Sequence, residues 1–253
     1  MNTSAEFTVY PAIDLRAGRV VRLQQGDPLR ETGYSSAPLQ IAQQWLAAGA
    51  AWLHVVNLDG AFGEDGSANA LALAAILRSG ARVQFGGGLR TLPAIAQALQ
   101  LGVQRVVLGT AAATQPALVA TALAQFGAER IAAGIDAHAG EVRIKGWAAG
   151  AGISATALAG TLQQQGVRTI IFTDVERDGM QQGLNLSATC ALAQSSGLQV
   201  IASGGVQAAS DVRAARAAGL AGVIVGRALY EGQVQLPALL RELAAGLPPG
   251  GCT

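Results

Sequence analysis

The chain has 253 residues, of which 51% are hydrophobic and 13% charged, with a formal net charge of +1. That length suits one large core and is common among single α/β barrels. The near-neutral charge gives no support for a nucleic-acid or membrane-surface partner, and Gly, Arg or Gln breaks the longest apolar runs, so none is read as a membrane span.

The opening "MNTSAEFTVYPAID" lacks a basic segment followed by an apolar run, so it is not read as a secretory signal. A first β-type run, "FTVYPAID", ends in Asp14. The polar segment "LRAGRVVRLQQGD", with Arg22, is taken as the first loop. In "PLQIAQQWLAAG" apolar residues fall at spacings of three and four, which predicts a helix. Gly49 follows it, as glycine often does just past a helix. The same unit recurs. Runs "AWLHVVN", "RVQFGG", "RVVLG", "RIAAGID", "TIIFTD", "QVIASGG" and "GVIVG" each precede a helical pattern, and those patterns close at Gly80, Gly102, Gly127, Gly166, Gly197, Gly219 and Gly246. His54 lies inside the second strand and is expected to be packed and hydrogen-bonded. His138 follows Asp136 in a loop and is given no role. Cys190 falls in a helix and Cys252 in the tail. Two such cysteines have no metal-site spacing and fit a reducing cytoplasm.

Eight strands alternating with eight helices predict parallel strands with right-handed crossovers. Closed on themselves, they form a single (β/α)8 TIM barrel over residues 1–246, with 247–253 as a tail. An internal repeat runs through it. "FGGGLR" returns as "ASGGVQ", with Gly88 and Gly205 separated by 205 − 88 = 117. "VVLGTA" returns as "VIVGRA", with Gly109 and Gly226 separated by 226 − 109 = 117. The repeat predicts two half-barrels, about 1–127 and 128–246. An open doubly wound sheet is the alternative, but it does not require two equal halves.

In such a barrel, function sits where the strands end. The repeated glycine loops follow the third, fourth, seventh and eighth strands and lead toward helix N-termini. There, free N–H groups and the helix dipole favour anions. Two opposed phosphate sites predict an elongated substrate with a phosphate at each end. Asp14 and Asp136 end the first and fifth strands, which are opposite in an eight-stranded ring. A carboxylate at the end of an apolar strand is costly without a task or partner, and this pair reads as an acid and a base. Thr173 ends the sixth strand, where its hydroxyl can bond a reacting oxygen. No Ser-His-Asp set, zinc site or dinucleotide fingerprint is present, and no metal or cofactor is expected.

Read in order, "YPAIDLRAGRVVRLQQGD", "LHVVNLDGAF", "FGGGLR", "AGIDA", "IKGW", "TDVERDGM", "ASGGV" and "VGRALYEG" resemble the phosphoribosylformimino-5-aminoimidazole carboxamide ribotide isomerase family over nearly the whole chain. The resemblance implies a monomeric, metal-free and cofactor-free enzyme of histidine biosynthesis. It implies an Amadori rearrangement of an aminoaldose to an aminoketose on a substrate with two phosphates. Asp14 would be the base that takes the sugar C2 proton, Asp136 the acid that opens the ribose ring, and Thr173 a supporting hydroxyl. Gly87, Gly88, Gly109 and Thr110 would hold one phosphate. Gly204, Gly205, Gly226 and Arg227 would hold the other. Asp178 joins the implied substrate-binding set, and Arg22 and Trp147 would close over the substrate. Two departures stand out. Asn57 occupies a position where the family usually has Asp, and the "AAGAG" after Trp147 lacks the acidic residues common there. Rival readings are the sister imidazole glycerol phosphate synthase cyclase, an isomerase that also accepts phosphoribosylanthranilate, a Schiff-base aldolase using Lys145, the one lysine, and a non-catalytic bisphosphate-binding barrel.

Overall fold

The computed structural model describes residues 7–245. Gly246, Cys252 and the expected tail therefore lie outside the described residues. Eight parallel strands close a ring: β1 (Thr8–Arg16), β4 (Leu53–Asn57), β5 (Val83–Gly86), β6 (Arg105–Leu108), β7 (Ile131–His138), β10 (Thr169–Asp174), β11 (Gln199–Ser203) and β12 (Gly222–Val225). Each pairs in parallel with the next, and β12 pairs with β1, so no barrel strand is left as an edge. The expected barrel is therefore the observed one.

Its strands are buried on both faces, which is why they read as continuous apolar runs rather than alternating ones. In β10, Ile170 and Phe172 join the large core shared with the helices. Ile171 points instead into a second cluster with Tyr10, Ala12, Val107, Ala132, Ile201 and Ile224, which fills the barrel interior. Every expected helix-ending glycine among the described residues has positive φ, from 66° at Gly197 to 113° at Gly102. Helix α4 (Leu92–Leu101) starts as its sequence suggests: the Thr91 hydroxyl accepts from the Ala94 N–H, and a proline stands in the first turn.

The structure differs from expectation in the connections. The first loop is an antiparallel extension, β2 (Arg19–Gln24) and β3 (Asp27–Ser35), so Arg22 sits on a strand. The connection after β7 is another, β8 (Glu141–Ile144) and β9 (Ala149–Ser154), and the small residues from Ala149 onward lie in its second strand. The reversals at Ala17-Gly18, Gln25-Gly26 and Ala139-Gly140 all have two consecutive positive φ angles. Those are the angles that match the twist of paired strands. The glycine loops also differ in kind. Gly109 and Gly226 cap the short helices α5 (Thr110–Thr114) and α10 (Arg227–Tyr230) directly. Gly88 and Gly205 are each separated from the following helix by three residues, with those helices starting at Leu92 and Ala209.

Candidate active site

Asp14 and Asp136 line one cavity of about 200 Å³ at the C-terminal end of the barrel. They reach it from β1 and β7, four strands apart around the ring. Thr173 lies beside Asp136 in the β7–β10 register and hydrogen-bonds it. His54 forms part of the cavity wall. Its Nδ1 is 3.0 Å from Gln84 Nε2, and burial, followed by the charges of Arg22 and Arg105, pushes its pKa down to about 3. It is thus a packed neutral imidazole, as expected.

The carboxylates have unlike surroundings. Burial raises Asp14 to about 6, against the lowering effect of Arg22, while nearby Asp178 pushes it further up. Arg22 Nη1 donates to Asp14 Oδ2 at 2.7 Å, and its Nη2 is 3.8 Å from Asp178 Oδ1. Burial also raises Asp136, while hydrogen bonds from Trp147 and Thr173 pull it down. Trp147 Nε1 donates to Asp136 Oδ2 at 2.8 Å. Asp178 is raised by burial against the lowering effect of Arg22.

The two glycine sets border different spaces. Gly87, Gly88, Gly109 and Thr110 line the cavity that holds the aspartates. Gly204, Gly205, Gly226 and Arg227 line a separate pocket of about 20 Å³. Arg22, Asp178, Ser203 and Ile224 border both. The Arg22 guanidinium lies against Gly226, where an added Cβ would come 2.5 Å from Cζ. Arg227 is ion-paired to Glu231 at 2.5 Å and donates to the Gly179 carbonyl at 2.9 Å.

The glycines are required for different reasons. At Gly87 φ is 96°, and a Cβ would come 2.1 Å from the Asn57 carbonyl oxygen. Gly204 repeats this with φ 88° and a Cβ 2.6 Å from the Asp174 oxygen. Crossing backbone alone therefore requires glycine at both. At Gly109 φ is −87°, and an added Cβ meets no protein atom within 4 Å, so its open face is free to receive a ligand.

Asn57 makes no hydrogen bond to Asp14 or Asp136. Its Oδ1 caps the short helix α2 (Leu58–Phe62) by accepting from Gly60 N–H at 3.0 Å, and it also accepts from Asn69 at 2.7 Å. Lys145 is exposed at a turn, unlike the desolvated lysine that Schiff-base chemistry favours. Two charged cavity residues escaped the sequence reading. Arg90 donates to the Ala61 carbonyl at 2.9 Å, and Arg143 donates to the Trp147 carbonyl. Each serves a backbone oxygen, and that pairing has no sequence spacing to betray it. No cluster of three or more His, Cys, Asp or Glu able to hold a metal occurs among the described residues. Among them, no helix is long and apolar enough to cross a membrane.

Comparison with known proteins finds relatives along nearly the whole chain. The histidine biosynthesis protein family matches residues 8–235. The 1-(5-phosphoribosyl)-5-((5-phosphoribosylamino)methylideneamino) imidazole-4-carboxamide isomerase of Opitutus terrae is 50% identical over 243 residues, covering 94% of this chain and 99% of its own. Proteins of the same name from Moorella thermoacetica and Acidiphilium cryptum are 47% and 48% identical, each over 94% of this chain and 99% and 98% of their own.

Proposed function

The chain belongs to the histidine biosynthesis protein family, and on that footing we propose that Asp14 and Asp136 are the base and acid of its isomerase reaction. Its substrate is the bis-phosphoribosyl imidazole carboxamide for which its relatives are named. One observation carries the assignment: two partly buried carboxylates with raised pKa values face one cavity from opposite strands.

Asp136 gives its proton to the ribose ring oxygen while the nitrogen lone pair opens the C1–O bond. Asp14 then takes the C2 proton, and the electron pair forms an enolamine. Returning a proton from Asp14 to C1, with the C2 hydroxyl proton passing to Asp136, yields the ketose and restores both carboxyls. With its pKa near 6, Asp14 is ionised at neutral pH yet more basic than an ordinary carboxylate. Thr173 and Trp147 orient Asp136. Gly87, Gly88, Gly109 and Thr110 hold one phosphate, where the open face of Gly109 supports close approach. Gly204, Gly205, Gly226 and Arg227 hold the other, with Arg22 and Asp178 between the two. The matched backbone angles of Gly109 (−87°, −96°) and Gly226 (−105°, −106°) support the reading of two half-barrels. A monomer in a reducing cytoplasm completes the proposal.

Turnover of purified protein with the ribotide substrate tests it. Asp14→Asn and Asp136→Asn should each lower the rate by ~10²–10⁴-fold with the fold intact, the usual contribution of a positioned proton-transfer group. A near-wild-type rate in either variant would refute that residue's role. The same assay with ammonia, or with phosphoribosylanthranilate, distinguishes the cyclase and broader-substrate alternatives.

A further inference from the structure

We propose that Arg143 is a positioning residue: it grips the backbone of Trp147 and thereby holds the indole on Asp136. This deepens the reading above, since it rests on Asp136 as the acid.

The turn that joins β8 to β9 is unusual. Lys145, Gly146 and Trp147 have φ of 56°, 62° and 70°. Three successive left-handed residues, two of them with long side chains, are held only where the surroundings over-determine the backbone. The restraints are visible. Arg143 Nε and Nη2 both donate to the Trp147 carbonyl, at 3.3 and 2.9 Å. The Thr110 hydroxyl accepts from Lys145 N–H at 2.9 Å. A Cβ on Gly146 would come 2.7 Å from Phe62, and one on Gly26 would come 2.4 Å from the indole Cε3. Packing thus fixes the ring and the turn from either side, and the guanidinium fork fixes the carbonyl between them.

With the carbonyl anchored, the indole N–H meets Asp136 Oδ2 at 2.8 Å. Remove the fork, and the strain in the turn favours other backbone conformations in which that hydrogen bond is lost. A lysine cannot replace the fork, because its ammonium is a single point of attachment. Arg143→Lys keeps the charge beside the cavity and removes the two-point grip, so it separates geometry from electrostatics.

The test uses full-length Arg143→Lys, Arg143→Ala and, as reference, Trp147→Phe. The readouts are kcat and KM for the ribotide, the pH dependence of kcat, substrate-dependent tryptophan fluorescence and melting temperature. Both Arg143 variants should lose kcat by about tenfold or more, the scale of a misplaced catalytic group, with a smaller change in KM. The indole hydrogen bond lowers the pKa of Asp136, so its loss should move the basic limb of kcat to higher pH. That shift should have the same direction as in Trp147→Phe. The fluorescence response should shrink. A rise in KM alone, with the limb and fluorescence unchanged, would overturn the proposal and make Arg143 a substrate contact. A fall in melting temperature with kcat and the limb intact would overturn it as well. If Asp136→Asn keeps its rate, the acid assignment beneath the proposal fails instead, whatever Arg143 does.

Discussion

Asp14 and Arg22 form the closest charged pair bordering the cavity, and their coupling has a consequence for pH. A base works when deprotonated, so kcat/KM should rise as pH increases through the Asp14 pKa, near 6. Arg22 lowers that pKa and Asp178 raises it. Arg22→Ala should therefore shift the acidic limb to higher pH and lose more rate at pH 6 than at pH 8. Asp178→Asn should shift it the other way. Profiles of kcat/KM, which report the free enzyme, check both directions; an unmoved limb in both variants would mean that another group titrates there. The aspartates were legible in the sequence because a carboxylate ending an apolar strand is conspicuous. Their pKa values were not, since desolvation and the Arg22 contact depend on a hairpin folding back over the barrel mouth.

At the scale of loops and strands, glycine plays two parts that the sequence does not separate. "FGGG" and "VLGT" both read as phosphate loops, yet Gly87 is required by the crossing backbone at Asn57, whereas Gly109 faces open space. The two should respond differently to a methyl group. Gly87→Ala should cost on the order of 3 kcal/mol, since it combines a positive φ with a steric clash. It should be seen first as a lowered melting temperature. Gly109→Ala should cost far less stability but raise KM by ~10-fold or more, because it would crowd the N–H proposed to hold a phosphate oxygen. Equal losses of stability would remove the distinction. Barrel strands and helices were readable because helix-ending glycines punctuate the chain at regular intervals. The β2–β3 and β8–β9 extensions were missed because β3 and β9 are largely exposed and carry no continuous apolar run. Their cue, an X-Gly pair between extended runs, is faint beside the helical pattern.

The whole barrel divides its polar groups between two ends. At the C-terminal end of the strands, partly buried carboxylates keep raised pKa values. At the other end, a partly buried network holds the interior together. Arg105, at the start of β6, donates to Gln84 Oε1 at 2.5 Å and to the Tyr10 hydroxyl at 3.0 Å, and its guanidinium lies 5.0 Å from the Trp52 ring centroid. Gln84 is fully buried and passes the network on to His54 in the cavity wall. A TIM barrel concentrates function at one end and stability at the other, so substitutions at the two ends should have opposite signatures. Arg105→Ala strands the Gln84 oxygen and the tyrosine hydroxyl in the interior. Leaving buried polar groups unpaired costs about 1–3 kcal/mol, or roughly 2–10 °C in melting temperature for a chain of this size. The aspartates and the paired glycine loops lie beyond that layer, so kcat for the ribotide should stay within about threefold of wild type, well short of the loss from removing a proton-transfer group. Thermal unfolding and steady-state kinetics on the same preparation check both halves of the expectation. A loss of kcat larger than the loss of stability would show that the network reaches through His54 into the chemistry, and that the two ends are not independent.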